Sequence, residues 1–588
     1  MFNRKIIISL FFILFTLPSI AQNVNLDSLL DAEVTKKTKS ETQFTDATFK
    51  TSRLINGHSV ETTQKGVLDL KVMHRFGTLN EGLYNLYGLD KATMRIGVDY
   101  GITNRLSMGA GHSTFEKQYD GFLKYRLLWQ STGKRNMPVS VTLLSTVAIK
   151  TLKETIDSTK LRTSDRFYYG FQALIARKFN SAFSFQLMPT IIHYNLVPTT
   201  GEPNDLYALG AGTRLKLTKR TAITAEYYYQ IPGHKLSGTY NSLSFGYEIE
   251  TGGHVFQLHL SNSTGMAERP FITETRGKWG NGDIHVGFNI SRVFTINRGR
   301  TSTDKKSNTK WMMPVDTASQ TKSDSVTQYA IATFKTDHLI NAHSVETTQE
   351  GILDVKVQHR FGTLNQGLYA WYGLDQATER IGFNYGISNR LTVGAGRSSF
   401  EKEYDGFIKY RLLWQSSGKR NMPVSVTLLA AASAKTLKET IDSVKIHTSD
   451  RFFFTYQAMI ARKFGSVFSL QISPTLVHYN IVPASSLQND FYSIGIGARV
   501  QITPRSSLLA EYFYQLPGNK LPGSYNLLSV GYEIETGGHV FHFHLTNSTG
   551  MTERTFITGT TGKWSDGDIH FGFNMSRVFA IKKLKTVN

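Results

Sequence analysis

The sequence predicts an all-β chain folded as two tandem antiparallel transmembrane β-barrels of about 12 strands each, with one barrel of about 24 strands as the alternative. Three observations predict it. Segments of about ten residues alternate apolar and polar side chains, the length and period of a membrane-barrel strand. The links between these segments are tight on one side and long on the other. The whole pattern is written twice, residues 47–296 recurring without a gap as 332–581 at a constant offset of 285.

The alternation is plain in Met94-Arg95-Ile96-Gly97-Val98-Asp99-Tyr100, where every apolar side chain has an even number. In Leu243-Ser244-Phe245-Gly246-Tyr247-Glu248-Ile249-Glu250 the apolar positions are all odd. Successive side chains of a strand point to opposite faces, so each segment has one apolar face and one face of charge, amide and glycine. The two copies test that reading. On the apolar face they differ by apolar changes, Val98 to Phe383 and Leu258 to Phe543. On the polar face they differ mostly by polar ones, Asp99 to Asn384 and Gln257 to His542.

Strands are expected near 66–77, 92–102, 105–115, 119–130, 137–149, 166–179, 182–195, 205–218, 221–232, 241–250, 254–262 and 282–294. The links at Thr103-Asn104, Asn180-Ser181, Lys219-Arg220 and Thr251-Gly252-Gly253 are tight. Those at 78–91, 150–165, 196–204, 233–240 and 263–281 are long and polar, and 131–136 is intermediate. Bacterial outer-membrane barrels sort their connections this way, and soluble sandwiches have no reason to. An even strand number also brings both ends of each copy to one side.

The remaining segments are polar or are export signals. Arg4 and Lys5, the apolar run Ile6 to Leu17 and the small-x-small site Ser19-Ile20-Ala21 predict a signal peptide over 1–21. Residues 22–46 read as a polar periplasmic segment with a short helix at Leu26 to Ala32, 297–331 as a solvated linker, and 582–588 as a tail. The polar linker, and the terminal strand kept by the first copy, favour two barrels over one.

Composition excludes several chemistries. The chain has no cysteine, so disulfides, thiolate metal sites and cysteine nucleophiles are absent. Its net charge of +21 is spread over strands, loops and linker without a nucleic-acid-binding motif, and no nucleic-acid partner is expected. Mean hydropathy is slightly negative, as expected when only alternate residues face lipid.

Each copy ends alike, in Gly287-Phe288-Asn289-Ile290-Ser291-Arg292-Val293-Phe294 and in Gly572-Phe573-Asn574-Met575-Ser576-Arg577-Val578-Phe579. This resembles the last strand of outer-membrane barrels, whose terminal aromatic is read by assembly machinery. The departure is that Ala580 to Asn588 follow Phe579. Together with Asn56-Gly57-His58-Ser59-Val60-Glu61, His74-Arg75-Phe76-Gly77 and Gly246 to His254, these segments resemble a Bacteroidetes family of outer-membrane β-barrels, a domain of unknown function. Single-copy members of that family imply that each half is a complete barrel, located in the cell outer membrane. The partners implied are outer-membrane lipid and, during biogenesis, the barrel-assembly machinery. The resemblance implies no activity.

The polar faces supply candidate pore-lining residues. They are Lys71, Arg95, Asp99, Lys124, Arg126, Glu226, Glu248 and Glu250 in the first copy, and Lys356, Arg380, Asn384, Lys409, Arg411, Glu511, Glu533 and Glu535 in the second. Those of the first copy pair in sign, four cations with four carboxylates, so the set reads either as a paired network filling the lumen or as a charged constriction that sets ion selectivity. His542-Phe543-His544 puts two histidines on one strand face, but the first copy has Gln257 in place of His542 and no third ligand is evident. No metal site and no cofactor are expected. His58 with Glu61, and His343 with Glu346, precede the first strand of their copies and read as an inward-folded structural segment, with a binding site as the alternative. No phosphate loop, zinc-protease or nucleophile-elbow motif occurs, so no catalytic residues are assigned and no enzyme is expected. The functional classes left open are a narrow channel for small solutes, a non-conducting binding or scaffold barrel acting through loops such as 263–281 and 548–566, and, last, a barrel enzyme.

Overall fold

The computed structural model describes residues 41–153, 161–199, 201–251, 253–296, 326–438, 447–483, 486–536 and 538–582. The signal peptide, the helix at Leu26 to Ala32, most of the linker and the last six residues of the tail lie outside the described residues.

Among the described residues, twelve antiparallel strands close each of two separate barrels. In the first, the strands run from Val67–Thr78 to His285–Thr295, and these two pair with each other to close the wall. In the second, Ile352–Thr363 closes on His570–Ala580. Every strand of the first barrel begins and ends within three residues of its expected bounds. The alternation that predicted the strands also sorts their faces. Val98, Leu123, Phe171, Ile223 and Phe245 stand exposed on the outer wall, while Lys71, Arg95, Lys124 and Glu226 are buried inside.

The single-barrel alternative fails because each terminal strand finds its own first strand. The match between Gly287–Thr295 and Val67–Arg75 is a continuous ladder, which satisfies the backbone of both edges within one copy.

Each polar approach segment ends in structure. Thr42–Phe44 pairs with Ser131–Gly133, and Gln328–Tyr329 pairs with Ser416–Ser417. The expected solvated tethers are thus anchored at their C-terminal ends to the intermediate link on the short-turn side. The Trp129 indole N–H donates to Thr45 O at 2.9 Å, and Trp414 repeats the bond to Ala330 O.

From there the chain enters the barrel. Phe49, Leu54, Ile55 and Val60 are buried in the first lumen, and Phe334, Leu339, Ile340 and Val345 in the second. These apolar side chains form the lumen core together with wall residues such as Met188, Ile192 and Tyr228. The long links 263–281 and 548–566, expected to be surface loops, instead fold into the opposite mouth. Their helices α1 (Glu268–Thr273) and α2 (Glu553–Ile557) are buried over their whole length. The reason is hydrophobic: Phe271 and Ile272, like Phe556 and Ile557, have no exposed surface and pack against the inner segment's core.

Candidate functional site

The inner segment is held as a tight hairpin. Arg53 and His58 form a bridge, and Leu54 N donates to Gly57 O at 2.7 Å. The turn points three backbone N–H groups, of Ile55, Asn56 and Gly57, at the Glu226 carboxylate at 3.2, 2.8 and 3.1 Å. Glu511 takes the same three bonds from Ile340, Asn341 and Ala342. A carboxylate facing three amides is a charge-assisted anchor in a water-poor interior.

The other candidate pore residues are paired either with the inner segment or with one another along the wall. The Lys124 ammonium donates to the carbonyls of Ser52, Ser59 and Glu61 at 2.8–3.0 Å, and Lys409 reaches Asp337 O at 3.0 Å. Arg126 pairs with Glu61, and Arg411 with Glu346, both at 2.6 Å. Lys71 lies between Asp69, at 2.6 Å, and Asp99. Lys356 meets Asp337, whose other oxygen accepts from Asn384 at 2.8 Å. Arg95 and Arg380 clamp Asp120 and Asp405, each with its Nε at 2.9 Å. Arg214 holds Glu248 at 2.7 Å and Glu250 at 3.2 Å, and Lys50 adds a second cation to Glu250. In the second barrel Arg499 and His542 share Glu533, and Lys335 takes Glu535. Glu250 and Glu535 are partly exposed, and the other fourteen are buried. The structure therefore places all sixteen on the lumen side and pairs them. Cavities bordering the two inner segments measure ≈ 30 and ≈ 20 Å3, room for about one water each.

The two copies show that the plug is written into the sequence. Gly57 packs so closely on Tyr228 that a Cβ there would overlap the phenol oxygen. Where the second copy has the methyl of Ala342, it has Phe513 in place of the tyrosine. Ser52 with Asp99 becomes Asp337 with Asn384, so the acid that serves the buried lysine moves from wall to plug. The buried arginine of the helix follows the same rule. Arg269 uses Gln118 and Glu274, whereas Arg554 uses Glu403, the second copy having Gly559 in place of Glu274. Each exchange keeps one volume or one charge constant at its contact.

His58 and His343 belong to this structural plug. They stand 3.3 and 3.2 Å from Glu268 and Glu553 of the helices. His542 is occupied by Glu533, and His544 faces Arg360, so that pair is not brought together around a common ligand position.

A second site lies where the barrels meet. The contacts are reciprocal under the 285-residue offset, as in a two-fold interface. Asp90 of the first barrel takes Arg397, at 2.8 Å, and Lys402 of the second. Asp375, the equivalent of Asp90, takes His112 at 2.7 Å and Lys117. Lys402 and Lys438 lie over the Tyr84 ring, and Lys117 and Lys153 over Tyr369. The rim loops that make these contacts carry strained backbone, with Leu86, Tyr87, Trp371 and Tyr372 at φ of 46 to 53°. Burial alone would raise the Asp375 carboxyl, but the bonds from His112 and Lys117 outweigh it and hold it below its ordinary value.

On the axis of this seam stand His74 and His359, the same residue of the two copies, with rings 5.7 Å apart. Both lie on the outer wall face and are buried by the opposite barrel. Glu379, cross-strand from His359, joins them. Sequence reasoning missed this group. The signal was Met94 to Glu379, a carboxylate on an otherwise apolar face and a departure from the apolar-for-apolar exchanges expected there.

Solved structures similar in fold include the NanC porin, at 9% identity and TM-score 0.25 over 39% of this chain and 98% of that one. An outer membrane channel from Pseudomonas putida F1 matches at 14% identity and TM-score 0.28, over 40% and 98%. The outer membrane protein Omp33 of Acinetobacter baumannii matches at 9% and 0.23, over 39% and 99%. At these values the likenesses carry no argument about function. No curated protein matches the chain. The model of the "Membrane bound beta barrel domain (DUF5777)" matches residues 49–294 and again 334–579, the two barrels just described. The chain therefore belongs to this family of membrane β-barrels, with the domain present twice.

Proposed function

We propose that the protein is a closed, non-conducting pair of outer-membrane barrels that acts as a binding or scaffold protein through its long-loop rim. The observation that carries this reading is the inner segment, which occupies each lumen and uses the charged wall residues as its anchors. A charged constriction needs side chains free to exchange with passing ions, and buried charges already paired do not offer that. The apolar outer wall suits outer-membrane lipid. The long-loop side is then external, and the terminal strands Gly287 to Phe294 and Gly572 to Phe579 are offered to the barrel-assembly machinery. The charged lumen residues are engaged with one another and with the inner segment, which supports a non-enzymatic role.

Planar-bilayer recording tests the proposal. The folded full chain is expected to give no discrete current steps, whereas a chain lacking residues 47–60 and 332–345 gives them. Steps from the intact chain, with the inner segments still protected, would return the protein to the channel class. A panel of ester, peptide and glycan substrates checks the non-enzymatic part, and turnover of any of them overturns it.

A further inference from the structure

One donor atom from each of His74, His359 and Glu379 lies within 4.8 Å of the other two, and all three residues are buried. His74 Nδ1 and both ring nitrogens of His359 are buried without a hydrogen-bond partner among the described residues. His359 Nε2 stands 3.6 Å from Glu379 Oε2, outside hydrogen-bond reach. The nearby cation Arg397 is committed to Asp90. A carboxylate oxygen and one imidazole nitrogen of each histidine thus face one another on a lipid-side wall, where unpaired polar groups are expensive.

We propose that His74, His359 and Glu379 form a divalent transition-metal site of the Zn2+ class that staples the two barrels across their seam. Two imidazoles and one carboxylate are a zinc donor set that leaves one position for water or a fourth ligand. Tetrahedral bonds of about 2.0–2.1 Å place ligand atoms about 3.4 Å apart, so each donor moves by about 1 Å or less to close on the ion. Phe288 stacks on His74 at 4.9 Å, and Phe361 and Phe573 flank His359 at 6.4 Å. This aromatic wall keeps the rings oriented and water sparse. The ligands come from both barrels, so binding favours the docked arrangement over separated ones.

The test is Co2+ titration of the metal-stripped full chain in detergent, followed in the visible spectrum, with Zn2+ as competitor. One Co2+ per chain with tetrahedral bands is expected, displaced by Zn2+. Glu379→Met restores the residue of the first copy, and His74→Phe keeps an apolar-compatible ring. Each weakens binding on the order of 100-fold or more, since even outer-shell changes at metal sites cost 10- to 100-fold. His359→Gln gives the same loss and serves if either variant misfolds. Zn2+ also raises the temperature at which the intact protein loses its compact gel mobility, in the parent and not in these variants. The proposal is overturned if the folded parent binds neither ion. It is equally overturned if binding survives in Glu379→Met and His74→Phe but is lost in His542→Gln, which would place the ion in the lumen.

Discussion

The Gly57–Tyr228 contact allows a quantitative test of the plug. Replacing Gly57 by Ala puts a methyl onto the Tyr228 hydroxyl oxygen, both residues being fully buried. Overpacking of this kind costs about 1–3 kcal/mol. Tyr228→Phe removes the oxygen and leaves ring carbons at 3.2 and 3.4 Å from the new methyl, a fit that needs only a small shift. By itself Tyr228→Phe loses the contact of the hydroxyl with Met188 Sδ at 3.1 Å, about 1 kcal/mol or less. The double variant reproduces the Ala342 and Phe513 pair of the second barrel. The expected coupling is therefore about 1–2 kcal/mol in favour of the double variant, or about 5- to 30-fold in an opening equilibrium. Hydrogen–deuterium exchange of the 49–63 peptide in lipid vesicles reads that equilibrium, with the 334–348 peptide of the unaltered barrel as control in the same molecule. Gly57→Ala alone should speed exchange of the first peptide and leave the second unchanged, and adding Tyr228→Phe should restore protection. Equal exchange in all four combinations, or additive effects, would mean that the inner segment does not pack where the structure puts it.

Glu226→Gln leaves two amide hydrogens facing the N–H groups of residues 55–57. It should loosen the hairpin by about 2–4 kcal/mol, seen as faster exchange of residues 53–58 and as intermittent bilayer current. Asp99→Asn alone takes one of two acids from Lys71 and should destabilise the first barrel in urea, whereas Asp99→Asn with Ser52→Asp copies the second barrel and should recover most of the loss. At the seam, spin labels on Tyr87→Cys and Tyr372→Cys, in a chain with no other cysteine, should report one narrow distance that broadens in Asp90→Asn with Asp375→Asn. The Asp375 carboxyl is held below its ordinary 3.8, so its contribution is complete above that pH and is lost as the pH falls through the lower folded value. The same distance should thus stay narrow from neutral pH to about 4 and broaden only below it.

How much of this was legible in the sequence follows from the range of the forces involved. Strand positions and faces depend on period-2 patterning within about ten residues, and all twelve strands of the first copy were legible from it. The closed double barrel was legible from the repeated terminal strand. The lumen side of Lys71, Arg95, Glu226 and the other charged candidates came from the same alternation. What they pair with did not, because residues 48–61 have neither strand nor helix period and their partners lie up to 234 residues away, as in the bond of Asn289 to Ile55 O. The helix in 263–281 was hidden for a related reason. A link of mixed composition, without strand alternation, reads as surface until the cavity that receives Phe271 and Ile272 is known. The seam is a relation between two barrels, and the sequence carries one mark of it, the Glu379 carboxylate on a face that is otherwise apolar.

The compensated exchanges separate what the duplication preserves from what it permits. Inside the lumens, Gly57 with Tyr228 and Ala342 with Phe513, or Ser52 with Asp99 and Asp337 with Asn384, are alternative solutions of one packing problem, so each barrel is under its own constraint. The seam is different, because residues near its axis meet their own counterparts. If two identical barrels docked this way as separate chains, a carboxylate at the position of Met94 would arrive twice, and two acids would converge on the same pair of imidazoles. Like charges that close in a water-poor wall repel strongly. Fusion of the copies into one chain removes that symmetry requirement. The carboxylate is present once, as Glu379, with Met94 at the same position of the other barrel, and the axis holds a donor set of two imidazoles and a single acid that a symmetric dimer cannot assemble.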